Sequence, residues 1–112
     1  MKIAIIGSRN LIVNDLERYI PEYATEIVSG GAMGIDTCAE KYAKEKGLKL
    51  TKFLPDYETH GRQAPILRNI DIIDYSDEVI AFWDGKSKGT KFVIDRCNKK
   101  KVKITVHIFN ID

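Results

Sequence analysis

Residues 26–54 read EIVSGGAMGIDTCAEKYAKEKGLKLTKFL, and this stretch decides the fold class. Glu26 to Ser29 is a short apolar run of strand length, closed by Gly30 and Gly31. Ile35, Cys38, Ala39, Tyr42 and Ala43 then fall at i, i+3, i+4, i+7 and i+8 and share one face of a helix. Gly47 supplies its C-cap. Leu48 to Leu54 follows as another strand. A strand, a helix long enough to cross over and a second strand make a βαβ unit, and such a unit requires parallel pairing.

The same alternation extends in both directions. Lys2 to Ile6 is a buried-strand run ending in Gly7. Asn14, with Glu17 three residues on, predicts a capped helix start. Leu16, Tyr19 and Ile20 would form its apolar face, and Pro21 would stop it. Downstream, residues 55–63 form a polar loop, and Pro65 opens a helix expected to turn Ile66, Leu67, Ile70 and Ile73 inward. The Asp77–Trp83 segment holds a fourth strand. Thr90 begins a helix with Val93, Ile94 and Cys97 inside, and Val102 to Phe109 is a fifth strand. The predicted order is β-α-β-α-β-α-β-α-β. Right-handed crossovers place helices on both faces of such a sheet. The expected architecture is therefore an α/β, Rossmann-like three-layer sandwich with a five-stranded, mostly parallel sheet, formed as a single domain over residues 1–112.

Composition agrees with a packed core: 44% of residues are hydrophobic and 30% charged. The net charge of +2 is milder than nucleic-acid-binding domains usually carry. The densest cations, Lys99, Lys100, Lys101 and Lys103, fall where a helix ends, and cations there complement the helix dipole. The run before Gly7 is too short for a signal peptide or a membrane span, so a cytoplasmic, reducing location without membrane partners is expected. Cys38 and Cys97 sit on apolar helical faces and read as core residues. His60 and His107 have no companions at metal-ligand spacing, so no metal and no cofactor are expected.

In open parallel sheets the ligand lies beyond the carboxyl ends of the strands, where the strand order reverses. Three strand-to-helix loops are therefore the candidates. The first is Gly7-Ser8-Arg9-Asn10, where a glycine permits a sharp turn and Arg9 can fork onto phosphate oxygens. The second is Ser29 to Asp36, whose glycines at a helix start would expose amides to an anion. Asp36 in the first turn would either cap that helix or accept from a ribose hydroxyl. The third, Asp84 to Thr90, brings Lys86, Lys88, Gly89 and Thr90 to another helix start. Trp83 could stack on a base or cover the sheet edge. Arg68 should leave the apolar face of its helix, so its loss should cost little stability. None of these loops is a Walker A sequence. The dinucleotide fingerprint is missing after the first strand, and Val28-Ser29 lacks the acidic residue that holds the ribose of NAD.

Gly7-Ser8-Arg9, Gly30-Gly31-Ala32-Met33-Gly34-Ile35-Asp36, Pro55-Asp56-Tyr57, Ala64-Pro65, Arg68-Asn69, Ala81-Phe82 and Gly89-Thr90 occur here in the order of one family. Taken together they resemble the SLOG superfamily, which joins the DNA-processing protein DprA (also called Smf) with the Lonely Guy proteins. The branch resembled most is that of the small YspA/YpsA-related bacterial and phage proteins. The resemblance implies a Rossmann-like fold and binding of nucleotides or their derivatives. Through the Lonely Guy branch it also implies cleavage of a nucleoside monophosphate to base and ribose phosphate, and it pairs Arg68 with an arginine of those enzymes. Their catalytic glutamate in Gly-Gly-x-Gly-Thr-x-x-Glu falls on Val93, which can neither transfer a proton nor steady an oxocarbenium ion. Through DprA the resemblance implies single-stranded DNA binding.

The leading expectation is binding or sensing of a nucleotide or nucleotide-derived phosphate ligand at the carboxyl edge of the sheet. The ligand-binding set comprises Gly7, Ser8, Arg9, Gly30, Gly31, Ala32, Gly34, Asp36, Arg68, Asn69, Lys88, Gly89 and Thr90. The alternatives are N-glycosidic cleavage and binding of single-stranded nucleic acid, the latter disfavoured by the mild charge. No catalytic residue is assigned, and a homodimer is admitted.

Overall fold

The computed structural model describes residues 1–109; positions 110–112 of the expected 1–112 domain lie outside the described residues. Five strands, β1 (Lys2–Gly7), β2 (Glu26–Ser29), β3 (Lys49–Lys52), β4 (Glu78–Trp83) and β5 (Lys103–Ile108), form one sheet in the order β3-β2-β1-β4-β5. Every pairing is parallel, from Lys2 opposite Glu26 to Trp83 opposite Ile108. The helices are α1 (Ile35–Lys46), a short α2 (Tyr57–His60), α3 (Ala64–Tyr75) and α4 (Lys88–Lys100). The strand order reverses between β1 and β4. This is the α/β, Rossmann-like sandwich that the sequence predicts.

Strand alternation divides the core in two. Ile3 and Ile5 face one way, with Ile27, Ile80 and Phe82, and are covered by Ile35, Ala39 and Ala43 of α1. Ala4 and Ile6 face the other way, with Val28 and Val79, and are covered by Ile72 and Ile73 of α3 and by Val93 and Cys97 of α4. Burial pushes the Cys97 thiol up to about 11, so it serves as a core hydrophobe. Cys38 is half-buried and packs against the α1 side of the core. Gly47 ends α1 in the left-handed conformation, as its position predicts.

Two expectations about helices are corrected. The first crossover is not an α-helix capped by Asn14. It contains one 3-10 turn, Leu16–Arg18, preceded by Asp15, with no side-chain cap bond. Only six residues separate Asn14 from Pro21, and an isolated segment of that length cannot sustain a helix. Tertiary burial of Leu11, Val13, Leu16, Ile20 and Ala24 pins the segment instead. The second correction concerns α3. Ile66 is exposed and Leu67 and Ile70 are half-buried, while Ala64, Ile72 and Ile73 are buried. The loop over residues 55–63 also carries structure: α2 and a 3-10 turn at Gly61–Gln63. Among the described residues no helix is long and apolar enough to cross a membrane.

Candidate functional site

A cleft of about 430 Å³ opens at the reversal of strand order, over the ends of β1 and β4. The loop after β1 forms one wall. Gly7 ends the strand so close to α1 that an added Cβ would lie 2.3 Å from Ile35. The buried Ser8 joins this loop to the neighbouring one. Its amide donates to the Phe82 carbonyl at 3.0 Å, and its hydroxyl accepts from the Asp84 amide at 3.2 Å. Arg9 is exposed beside the cleft it lines.

The glycine loop before α1 forms the floor. Gly34 caps α1 at φ 74°, and a Cβ there would lie 2.4 Å from the Arg9 carbonyl oxygen, so only glycine fits between the two loops. Contrary to a loop of bare amides, Gly31 donates to Ser29 Oγ at 3.3 Å and Ala32 to Asp36 Oδ2 at 3.0 Å. The Asp36 carboxyl is therefore a local cap as well as part of the cleft floor. Its burial pushes its pKa above 3.8, against the opposing effects of the Ala32 amide and the Arg68 charge.

The third wall is the start of α4. Asp84 Oδ1 accepts from the Lys86 and Ser87 amides, both at 2.8 Å, which hold its carboxyl below the usual range. Ser87 caps α4 through the Thr90 amide at 3.5 Å. These contacts hold Gly89 and Thr90 on the cleft.

Helix α3 closes the fourth side. Pro65, Arg68, Asn69 and Ile72 fall at i, i+3, i+4 and i+7, and all four line the cleft. Arg68 is half-buried and held from several sides. Its Nη1 donates to the Gly30 carbonyl at 2.5 Å and to that of Phe53 at 3.5 Å, and its Nε donates to Asn69 Oδ1 at 2.9 Å. The expectation that Arg68 stands clear of the packed structure and matters little to stability is corrected here. It ties α3 to the ends of β2 and β3.

A smaller hollow of about 200 Å³ adjoins the cleft and shares Arg9, Gly30, Ala32 and Arg68 with it. Gly31, Met33, Pro55 and Tyr57 complete its lining.

Of the thirteen residues expected from sequence, Gly7, Ser8, Arg9, Gly30, Ala32, Asp36, Arg68, Asn69, Gly89 and Thr90 meet at the cleft. Gly31 lies in the adjoining hollow. Gly34 instead spaces the loops, and Lys88, the exposed first residue of α4, lines neither space. Ile6, Asn10, Pro65, Ile72 and Ser87 also line the cleft, outside the expected ligand-binding set. The helical spacing around Arg68-Asn69 was the signal that could have found Pro65 and Ile72. Trp83 lines neither space and donates its indole N–H to the Ser87 carbonyl at 3.0 Å. Val93, on the inner face of α4, is fully buried in the core. Among the described residues no three His, Cys, Asp or Glu side chains gather as a metal site.

Comparison with known proteins matches residues 1–60 to the family described as YAcAr: YspA, cpYpsA-related SLOG family. The chain is 30% identical to the Gene 61 protein of Mycobacterium phage D29 over 118 residues, covering 92% of this chain and 93% of the phage protein. No solved structure matches the chain significantly. The chain belongs to the YspA, cpYpsA-related SLOG family.

Proposed function

We propose that this SLOG-family protein binds a nucleotide, or a phosphate ligand derived from one, in the cleft between β1 and β4. The observation that carries the proposal is the meeting of two arginines, Arg9 and Arg68, with the glycine-bearing starts of α1 and α4 at one sheet edge. Cations that fork onto phosphate and the positive ends of helix dipoles both favour an anion there. Asp36 is the one carboxylate that lines the cleft among the described residues, and it suits a sugar hydroxyl better than a phosphate. A volume of about 430 Å³ falls within the range of small-molecule sites. The buried Val93 offers no proton-transferring group, which supports binding rather than cleavage.

A ligand that binds only the folded state raises the melting temperature by mass action. Thermal unfolding with ribose 5-phosphate and with AMP, GMP, CMP and UMP at millimolar concentration should show a shift for phosphorylated compounds, and each nucleotide should shift the protein more than its nucleoside. No shift with any phosphorylated compound would overturn the proposal. Chromatography of the same mixtures should show no free base above a protein-free control.

A further inference from the structure

The smaller hollow differs chemically from the cleft it joins. Its outer wall is Met33, Pro55 and Tyr57, and its inner wall is the shared pair Arg9 and Arg68. Met33 is 71% exposed and Tyr57 56% exposed, so two large, soft or aromatic side chains stand open to water around a concavity. The hollow is built rather than incidental. Asp56 caps α2 by accepting from the Thr59 amide at 3.1 Å, which places Tyr57 as the first helical residue. Gly31, at φ 71°, leaves room for Leu54, whose Cδ2 would lie 2.4 Å from an added Cβ.

The geometry points to the hollow as the seat of the ligand's nucleobase, with Tyr57 as the stacking surface. This rests on the cleft being the phosphate site. A planar base has an apolar face that Tyr57 and Met33 can cover. Arg9, Arg68, Gly30 and Ala32 border both spaces, so the two lie side by side within reach of one ligand. The phosphate would lie toward Gly89 and Thr90, the sugar over Asp36, and the base in the hollow.

Calorimetry with ribose 5-phosphate and with AMP, GMP, CMP and UMP separates the two claims. At least one nucleoside monophosphate should bind more tightly than ribose 5-phosphate. Tyr57→Ala should weaken that nucleotide about tenfold, as expected for loss of one base-stacking contact, and leave ribose 5-phosphate within about twofold. Tyr57→Phe should retain the nucleotide affinity. Because Tyr57 is exposed, its replacement should leave the fold intact, which circular dichroism would check. Ribose 5-phosphate binding as tightly as every nucleotide, or a Tyr57→Ala loss that is absent or equal for both ligand types, would overturn the base seat and leave the phosphate cleft standing. Absence of binding by every phosphorylated probe would remove both.

Discussion

The guanidinium of Arg68, midway along α3, donates to the backbone carbonyl of Gly30 at 2.5 Å, joining positions 38 residues apart. The contact is so close that an added Cβ on Gly30 would lie 2.5 Å from Arg68 Nη1. The glycine loop and the cation are thus parts of one scaffold. Arg68 orders the floor of the cleft as well as lending it charge.

Arg68→Ala should therefore destabilise the protein without any ligand. A hydrogen bond to a charged group is worth about 1.5–3 kcal/mol, and the variant leaves the buried Gly30 carbonyl unsatisfied, so a loss of about 2 kcal/mol is expected. Urea unfolding measures it. An unchanged midpoint would show that Arg68 acts through its charge alone.

Two glycines of the loops that bound the cleft should respond differently to alanine. Gly34→Ala forces a Cβ to 2.4 Å from the Arg9 carbonyl oxygen at φ 74° and should cost about 2 kcal/mol or more. Gly89 has nothing within 4 Å of its missing Cβ and lies in the first turn of α4, so Gly89→Ala should be neutral or stabilise by up to about 1 kcal/mol. Equal effects in thermal unfolding would mean that the close approach of the loops does not govern Gly34.

At the opposite edge of the sheet, Glu26 is buried at the start of β2. The Tyr75 hydroxyl donates to its carboxylate, as does Thr51 Oγ1 at 2.7 Å, and Lys49 Nζ lies 3.7 Å away. Desolvation pushes its pKa up, but these hydroxyls and the lysine charges together hold it below 4.5. A lowered folded pKa contributes stability that is present above 4.5 and lost as pH falls through the folded value. The stability difference between wild type and Glu26→Gln should therefore narrow between about pH 6 and pH 3. A difference that stays constant across that range would show that the charge of Glu26 is not what the hydroxyls stabilise.

Asp36 should behave in the opposite sense. Burial raises its folded pKa above 3.8, so the folded state holds the proton more tightly than the unfolded chain. Stability present below 3.8 is then lost as pH rises through the folded value. Asparagine keeps an acceptor for the Ala32 amide without a charge. Asp36→Asn should gain stability relative to wild type as pH rises from about 3 to 6. A relative loss over that interval would mean that the ionised form is favoured, through Arg68.

The sequence by itself determined the layered fold, because its signals are local. Apolar runs ending in Gly7 and Ser29, the i, i+3, i+4 stripe from Ile35 to Ala43 and the stop at Gly47 each need only their neighbours in the chain. Parallel pairing then follows from connection length. The loops that bound the cleft were legible for the same reason, since strands that run parallel must deliver their carboxyl ends to one edge. Where burial overrode local signals, the reading failed: Asn14 and Glu17 resemble a capping box, yet the packing of Leu11, Val13 and Ile20 holds that segment in another shape. Only the tertiary structure decided that Arg68 grips Gly30 and Phe53, that Ser29 and Asp36 take up amides expected to face a ligand, and that Tyr57 borders a second hollow. Those relationships join residues through the meeting of separate elements, and no periodicity within one element encodes the partner a long polar side chain finds across the fold.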